Sequence, residues 1–90
     1  MEKVCQKAIV RGRVQGVGFR FSARLQAEEL GISGWAKNLH DGSVEVMMCG
    51  EASAVKLLTN WMETGPTSAE VESVMVEDIP CQQLSGFVTL

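Results

Sequence analysis

Hydrophobic periodicity along this chain switches from two to 3.6 and back twice within 90 residues, an order that leaves few folds open. In VCQKAIV (4–10) the apolar Val4, Ala8 and Val10 fall on even positions while Lys7 and Arg11 face the other way, as in a strand with one buried face. Residues 20–30 read as a helix: Ala23, Ala27 and Leu30 share a stripe, Phe21 and Leu25 flank it, and Gly31 stands at the C′ position. ISGWAKNL (32–39) and SVEVMMCG (43–50) are two strands joined through Asp41-Gly42, a dipeptide favoured in type I′ hairpin turns because both residues tolerate positive φ. A second helix runs from about Ser53 to Thr64, with Val55, Leu58 and Met62 on one face and Gly65-Pro66 as its stop. AEVESVMVED (69–78) is a fourth strand, less regular and bulged near Ser73, and GFVTL (86–90) is a short fifth.

The order is βαββαβ plus one strand, with a helix in each crossover and a hairpin between them. Right-handed crossovers place both helices on one face of a single antiparallel sheet, an α+β, ferredoxin-like α/β sandwich. Residues 1–90 form one domain, large enough to bury about two-thirds of the surface of the unfolded chain. No run of apolar residues is long enough to span a membrane, and MEKVCQKAIVRGR lacks the apolar region of a signal peptide. A soluble, cytoplasmic monomer is the expectation.

Charge narrows the partners. The net charge is −3, but residues 1–40 carry a net of +4 and residues 41–90 a net of −7. An acidic whole argues against nucleic acid, which needs many basic phosphate contacts, while a basic first half can attract a small anion. The three cysteines show no CxxC spacing, which offers neither a zinc site nor a dithiol motif, and Cys81 beside Pro80 reads as a loop thiol. The one histidine, His40, adjoins the hairpin turn and reads as a solvated turn residue, without the orienting partner that a catalytic base needs. GVGFRF is not GxGxxG, and the first and third strands lack the aromatics of an RNA-recognition sheet.

The stretch GRVQGVGFR (12–20) remains. It joins the first strand to the first helix, where free N–H groups and the positive end of the helix dipole converge. Gly12, Gly16 and Gly18 let the backbone curl and present its amides to a concave nest, and Arg20 adds a planar fork of donors suited to two phosphoryl oxygens. The pattern describes a phosphate site; an ordinary tight turn is the alternative that chemistry alone leaves open. Arg13 reads as a solvated charge at the rim that can steer an anion, and the Gln15 side chain has no role legible from the sequence.

GRVQGVGFR, LGISGWAKNLHDGSVEV, GPTSAEVESV and a terminal GF together resemble the acylphosphatase family along nearly the whole chain. Ser22 and the ending VTL depart from the family's usual aromatics, outside the motif residues. The resemblance implies hydrolysis of carboxyl-phosphate anhydrides to a carboxylate and inorganic phosphate, with no metal, no cofactor and no phosphoenzyme. It implies that Arg20 binds substrate and that Asn38 positions the attacking water. It also implies that the amides of Val14, Gln15, Gly16, Val17, Gly18 and Phe19 cradle the phosphoryl oxygens. The expected partners are a small acyl phosphate and inorganic phosphate, with no nucleic acid and no membrane. A carboxylate leaving group with a pKa near roughly 4 needs no general acid, which accounts for the missing catalytic histidine. Two other readings keep the fold without turnover: a regulatory or carbamoyl-phosphate-sensing domain that keeps the phosphate nest, and an interaction domain in which the loop is only a turn.

Alternation makes a further point. Val44, Val46 and Met48 face the helices, so Glu45, Met47 and Cys49 face away, as do Cys5, Lys7 and Arg11 on the first strand. If these strands are neighbours, Cys5 and Cys49 lie on the open face of one sheet within disulfide reach. Two reduced thiols are the expectation in a cytosol, and a disulfide is the alternative.

Overall fold

The computed structural model describes residues 2–90. The elements are β1 (Lys3–Arg13), α1 (Phe19–Leu30), β2 (Ser33–Asn38), β3 (Val44–Glu51), α2 (Ala52–Met62), β4 (Glu70–Ile79) and β5 (Phe87–Thr89). The sheet order is β4-β1-β3-β2-β5, with every neighbouring pair antiparallel except β2 and β5. The fold is ferredoxin-like α+β, as the sequence implied, but β5 is parallel to β2 and makes the sheet mixed at that edge. Because β4 and β5 occupy opposite edges, residues 80–86 must cross the face of the sheet that carries no helices.

The core lies between the helices and the sheet. Val10, Val44, Val46 and Met48 meet Phe19, Ala23, Ala27, Val55, Leu58 and Met62 there, all buried. Small alanines on α1 let that helix approach the sheet closely, while Phe19 reaches across to Trp61 of α2, with ring centroids 5.5 Å apart. The helical face is narrower than the sequence indicated. Phe21 and Leu25 are 60% and 47% exposed, because α1 begins at Phe19 and that residue takes the core position.

Two local geometries differ from expectation or refine it. The β2–β3 connection is not type I′, since among the described residues none other than glycine has positive φ and only Gly42, at 94°, does so in the turn. Instead the Gly42 N–H donates to the Leu39 carbonyl, and Asp41 accepts from the Ser43 N–H at 3.0 Å and from its hydroxyl. The short Asp side chain thereby stabilises a turn that keeps Asp41 at ordinary φ. The irregularity near Ser73 is a β-bulge: Arg11 pairs with Ser73 and Gly12 with Val71, leaving Glu72 as the extra residue. Gly12 has φ of 125°, and a Cβ there would collide with the Glu70 carbonyl, so only glycine fits where β1 bends towards the loop.

The face opposite the helices is partly covered. Cys5 and Cys49 are directly opposed on β1 and β3, with Cα atoms 4.2 Å apart, and the structure joins them as a disulfide, the second of the two states the sequence left open. Both are buried with Met47, against Trp35, Ile79 and Leu84. Leu84 belongs to the crossing segment, which is held at its start by the Cys81 thiol on the Lys3 carbonyl.

Candidate active site

The loop between β1 and α1 is pinned at both ends by apolar burial. Val14 and Phe19 are each 1% exposed, while Gly16 and Gly18 lie open to solvent between them. Two buried anchors with four residues between them force the intervening backbone outward, where its amides can meet an anion. Gly16 and Gly18 have φ of 74° and 80°, the left-handed conformation that L side chains rarely adopt.

Gly18 is also the N-cap of α1, and no side chain caps the helix. The first turn contains no acidic residue, so the free N–H groups and the positive end of the dipole are unopposed. The loop is braced from behind by the Ser68 hydroxyl, which donates to the Val17 carbonyl at 2.7 Å. That contact engages one carbonyl of the loop and ties the GPTS segment to it.

Arg20 stands in the first turn of α1, half-buried. Its Nη1 donates to the Leu90 carbonyl at 2.5 Å, and the Leu90 N–H in turn donates to the Ala36 carbonyl at 2.8 Å. Ala36 lies two residues before Asn38, the exposed last residue of β2. The chain of contacts therefore runs from the helix start through Leu90 to the strand that carries Asn38.

Gln15 makes a second connection. Its Nε2 donates to the Leu39 and Ser43 carbonyls, both at 2.8 Å, on either side of the β2–β3 turn. Loop, Arg20 and Asn38 thus gather at one end of the sheet, around the exits of β1 and β2. His40 is exposed in the turn. Arg13 is exposed at the end of β1, at the margin of this group.

Asp41 carries a shifted carboxylate. Hydrogen bonds from the Ser43 side chain and backbone hold its pKa below the ordinary value of 3.8, with a smaller contribution from the Arg11 guanidinium 3.7 Å away. It stays ionised and fixes the turn. Among the described residues no group of His, Cys, Asp and Glu is arranged to hold a metal ion, and no helix is long and apolar enough to cross a membrane. A groove of about 370 Å³ between α2 and β4 is lined by Gln6, Lys56, Asn60, Glu63 and Asp78, none of them a candidate residue.

The glycine loop and Arg20 were candidates from local chemistry. Asn38 came from the family pattern alone. The Leu90 carbonyl, Ser68 and the Gln15 side chain were missed. Backbone acceptors leave no trace in residue types, and a Gln in a loop has too many uses for its spacing to assign one.

Similarity to known proteins extends over nearly the whole chain. The acylphosphatase family model matches residues 6–89. An acylphosphatase of Pseudomonas paraeruginosa is 52% identical over 88 residues, which are 98% of this chain and 97% of that protein. The structure of an acylphosphatase from Coxiella burnetii superposes with a TM-score of 0.94 at 43% identity, covering 98% of this chain and 93% of the other. The Bacillus subtilis acylphosphatase structure also reaches 0.94, at 30% identity, over 97% of this chain and 98% of the other.

Proposed function

The chain belongs to the acylphosphatase family and is a hydrolase of acyl phosphates, and from that premise we propose how its own residues perform the reaction. The loop amides from Val14 to Phe19 and the Arg20 guanidinium bind the phosphoryl group. Asn38 orients a water molecule for in-line attack on phosphorus. The new bond forms between the water oxygen and phosphorus, and the bond from phosphorus to the acyl oxygen breaks. The electron pair leaves on the carboxylate, and the water proton passes to a phosphoryl oxygen.

The single observation that carries this reading is the uncapped, glycine-built helix start beside a guanidinium already fixed by a backbone carbonyl. Charge developing on the phosphoryl oxygens meets donors that need no reorganisation. The leaving carboxylate is stable as an anion at neutral pH, so no side chain has to protonate it. Asn38 is neutral, and hydrogen bonding by its amide is sufficient to place a water. The site supplies its own positive charge, so we assign it no metal, and we read the protein as a cytoplasmic monomer acting on a small acyl phosphate.

The test is hydrolysis of acetyl phosphate or benzoyl phosphate by the purified protein, with and without excess EDTA. Equal rates in both support the reading. A large loss restored by magnesium would overturn the metal-free mechanism, and no hydrolysis under either condition would favour a phosphate-sensing module.

A further inference from the structure

We infer that the Gln15 side chain is a positioning residue for Asn38, setting its distance from the phosphate loop; the inference rests on the water-placing role proposed for Asn38. Gln15 spans the two halves of the site. Its backbone lies in the loop, and its amide nitrogen reaches the Leu39 and Ser43 carbonyls, each at 2.8 Å. Leu39 directly follows Asn38, and Asn38 pairs with Val44, the residue after Ser43. One NH2 group, with both hydrogens used, therefore grips the hairpin on both strands next to the rung that carries Asn38.

The hairpin has internal ties of its own: Leu39 N–H to the Ser43 carbonyl at 2.8 Å and Gly42 N–H to the Leu39 carbonyl at 3.2 Å. These hold the turn together without relating it to the loop. The exposed Arg11–Asp41 ion pair at 3.7 Å reaches the tip from β1 but is solvent-screened and weak. Gln15 makes the only side-chain hydrogen bonds found between the loop and the hairpin among the described residues. It is half-buried, where charged or strongly solvated substitutes would not replace it. A nucleophilic water has to sit within a few tenths of an ångström of its reactive position, so freedom of the hairpin relative to the loop would cost rate without costing phosphate affinity.

The experiment is Gln15→Met, which keeps the length and removes both donors, with Gln15→Glu as a second variant of the same shape. Folding of each is checked by thermal unfolding. The reaction is followed with acetyl phosphate, binding with inorganic phosphate, and the hairpin by amide exchange at Leu39 and Gly42. The expected result is a fall in kcat of roughly tenfold or more, a phosphate Kd within about twofold of wild type, and faster exchange of the hairpin amides. Loss of phosphate affinity in step with kcat would overturn the inference, because the side chain would then belong to the cradle. Unchanged kcat with unchanged exchange would also overturn it and leave the role of Asn38 standing. Unchanged kcat with a loosened hairpin would remove both, since the turnover would then not depend on where Asn38 sits.

Discussion

Arg20 is held to Leu90 across 70 positions of sequence by a 2.5 Å hydrogen bond from Nη1 to the backbone carbonyl. A guanidinium has five donors in one plane, so fixing one of them orients the others as a unit. This is how a half-exposed arginine on the first turn of a helix can be preorganised by the main chain, with no Asp or Glu side chain paired to it among the described residues.

Replacement of Arg20 by lysine should be nearly as damaging as replacement by alanine. An ammonium group can meet either the Leu90 carbonyl or a phosphoryl oxygen, but not in the fixed plane that serves both. The loss should be roughly 3–4 kcal/mol of transition-state stabilisation, or about a hundredfold or more in kcat/KM. Steady-state kinetics of Arg20→Lys and Arg20→Ala check this. A lysine variant that keeps more than about a third of wild-type kcat/KM would reduce Arg20 to a point charge.

Asn38→Ala should cripple kcat while leaving the affinity for inorganic phosphate largely intact. Phosphate meets the amides and guanidinium whether or not a water is in place, so its affinity reports on the cradle alone. Misplacement of the nucleophile by about 1 Å costs on the order of a hundredfold. Calorimetric titration with phosphate, beside kcat, is measured in the Asn38 and Arg20 variants. If the folded Asn38→Ala protein loses phosphate binding as completely as Arg20→Ala, Asn38 is part of the cradle.

Acid should loosen the β2–β3 turn only below the usual carboxylate range. The Asp41 pKa is lower in the folded chain than in the unfolded one, so the unfolded chain binds more protons in the window between them. Its contribution to stability is complete above the ordinary value of 3.8 and fades as pH falls through the folded value beneath it. Asp41 is exposed, and the effect is correspondingly small. Carbon-detected titration of the Asp41 carboxyl should give a midpoint below 3.8; a midpoint at or above that value would mean that the Ser43 hydrogen bonds are not maintained in solution.

The Cys5–Cys49 disulfide should affect stability and leave catalysis alone. It joins β1 and β3 across a sequence separation of 44, at the end of the sheet opposite Asn38 and Val44. The double variant Cys5→Ala, Cys49→Ala should unfold at lower denaturant than the oxidised protein, by about 2–4 kcal/mol, with kcat/KM within about twofold. Urea titration with and without a reductant provides the measurement. Identical curves for the wild type in both would show that its thiols were already reduced.

Much of this arrangement could be read from residue order, and the failures have physical causes. Strand alternation put Val44 and Val46 on one face and Cys49 on the other, because a pleated chain leaves no other choice. The hairpin was recognisable at Asp41-Gly42, but its type was not, since Asp can stabilise a turn by its backbone torsions or by its side-chain oxygen. Three residues in β5 carry no sign of direction; that was decided by the crossing of residues 80–86 from one edge to the other. At the proposed site, glycine and arginine pointed to an anion because their chemistry is specific. Gln15 did not, because its partners are carbonyls that every residue possesses.

The placement of β5 has a consequence for the timing of biosynthesis. The proposed phosphate loop and Arg20 are made before β2 and β3, the strands that follow them in the chain. The main-chain oxygen that orients Arg20 belongs to Leu90 and is in place only when β5 has docked beside β2. A ribosome-bound chain stalled short of this point can assemble β1, α1, β2 and β3 yet lacks the last fixture of its anion site. Competence to bind phosphate tightly should therefore wait for β5 to dock beside β2.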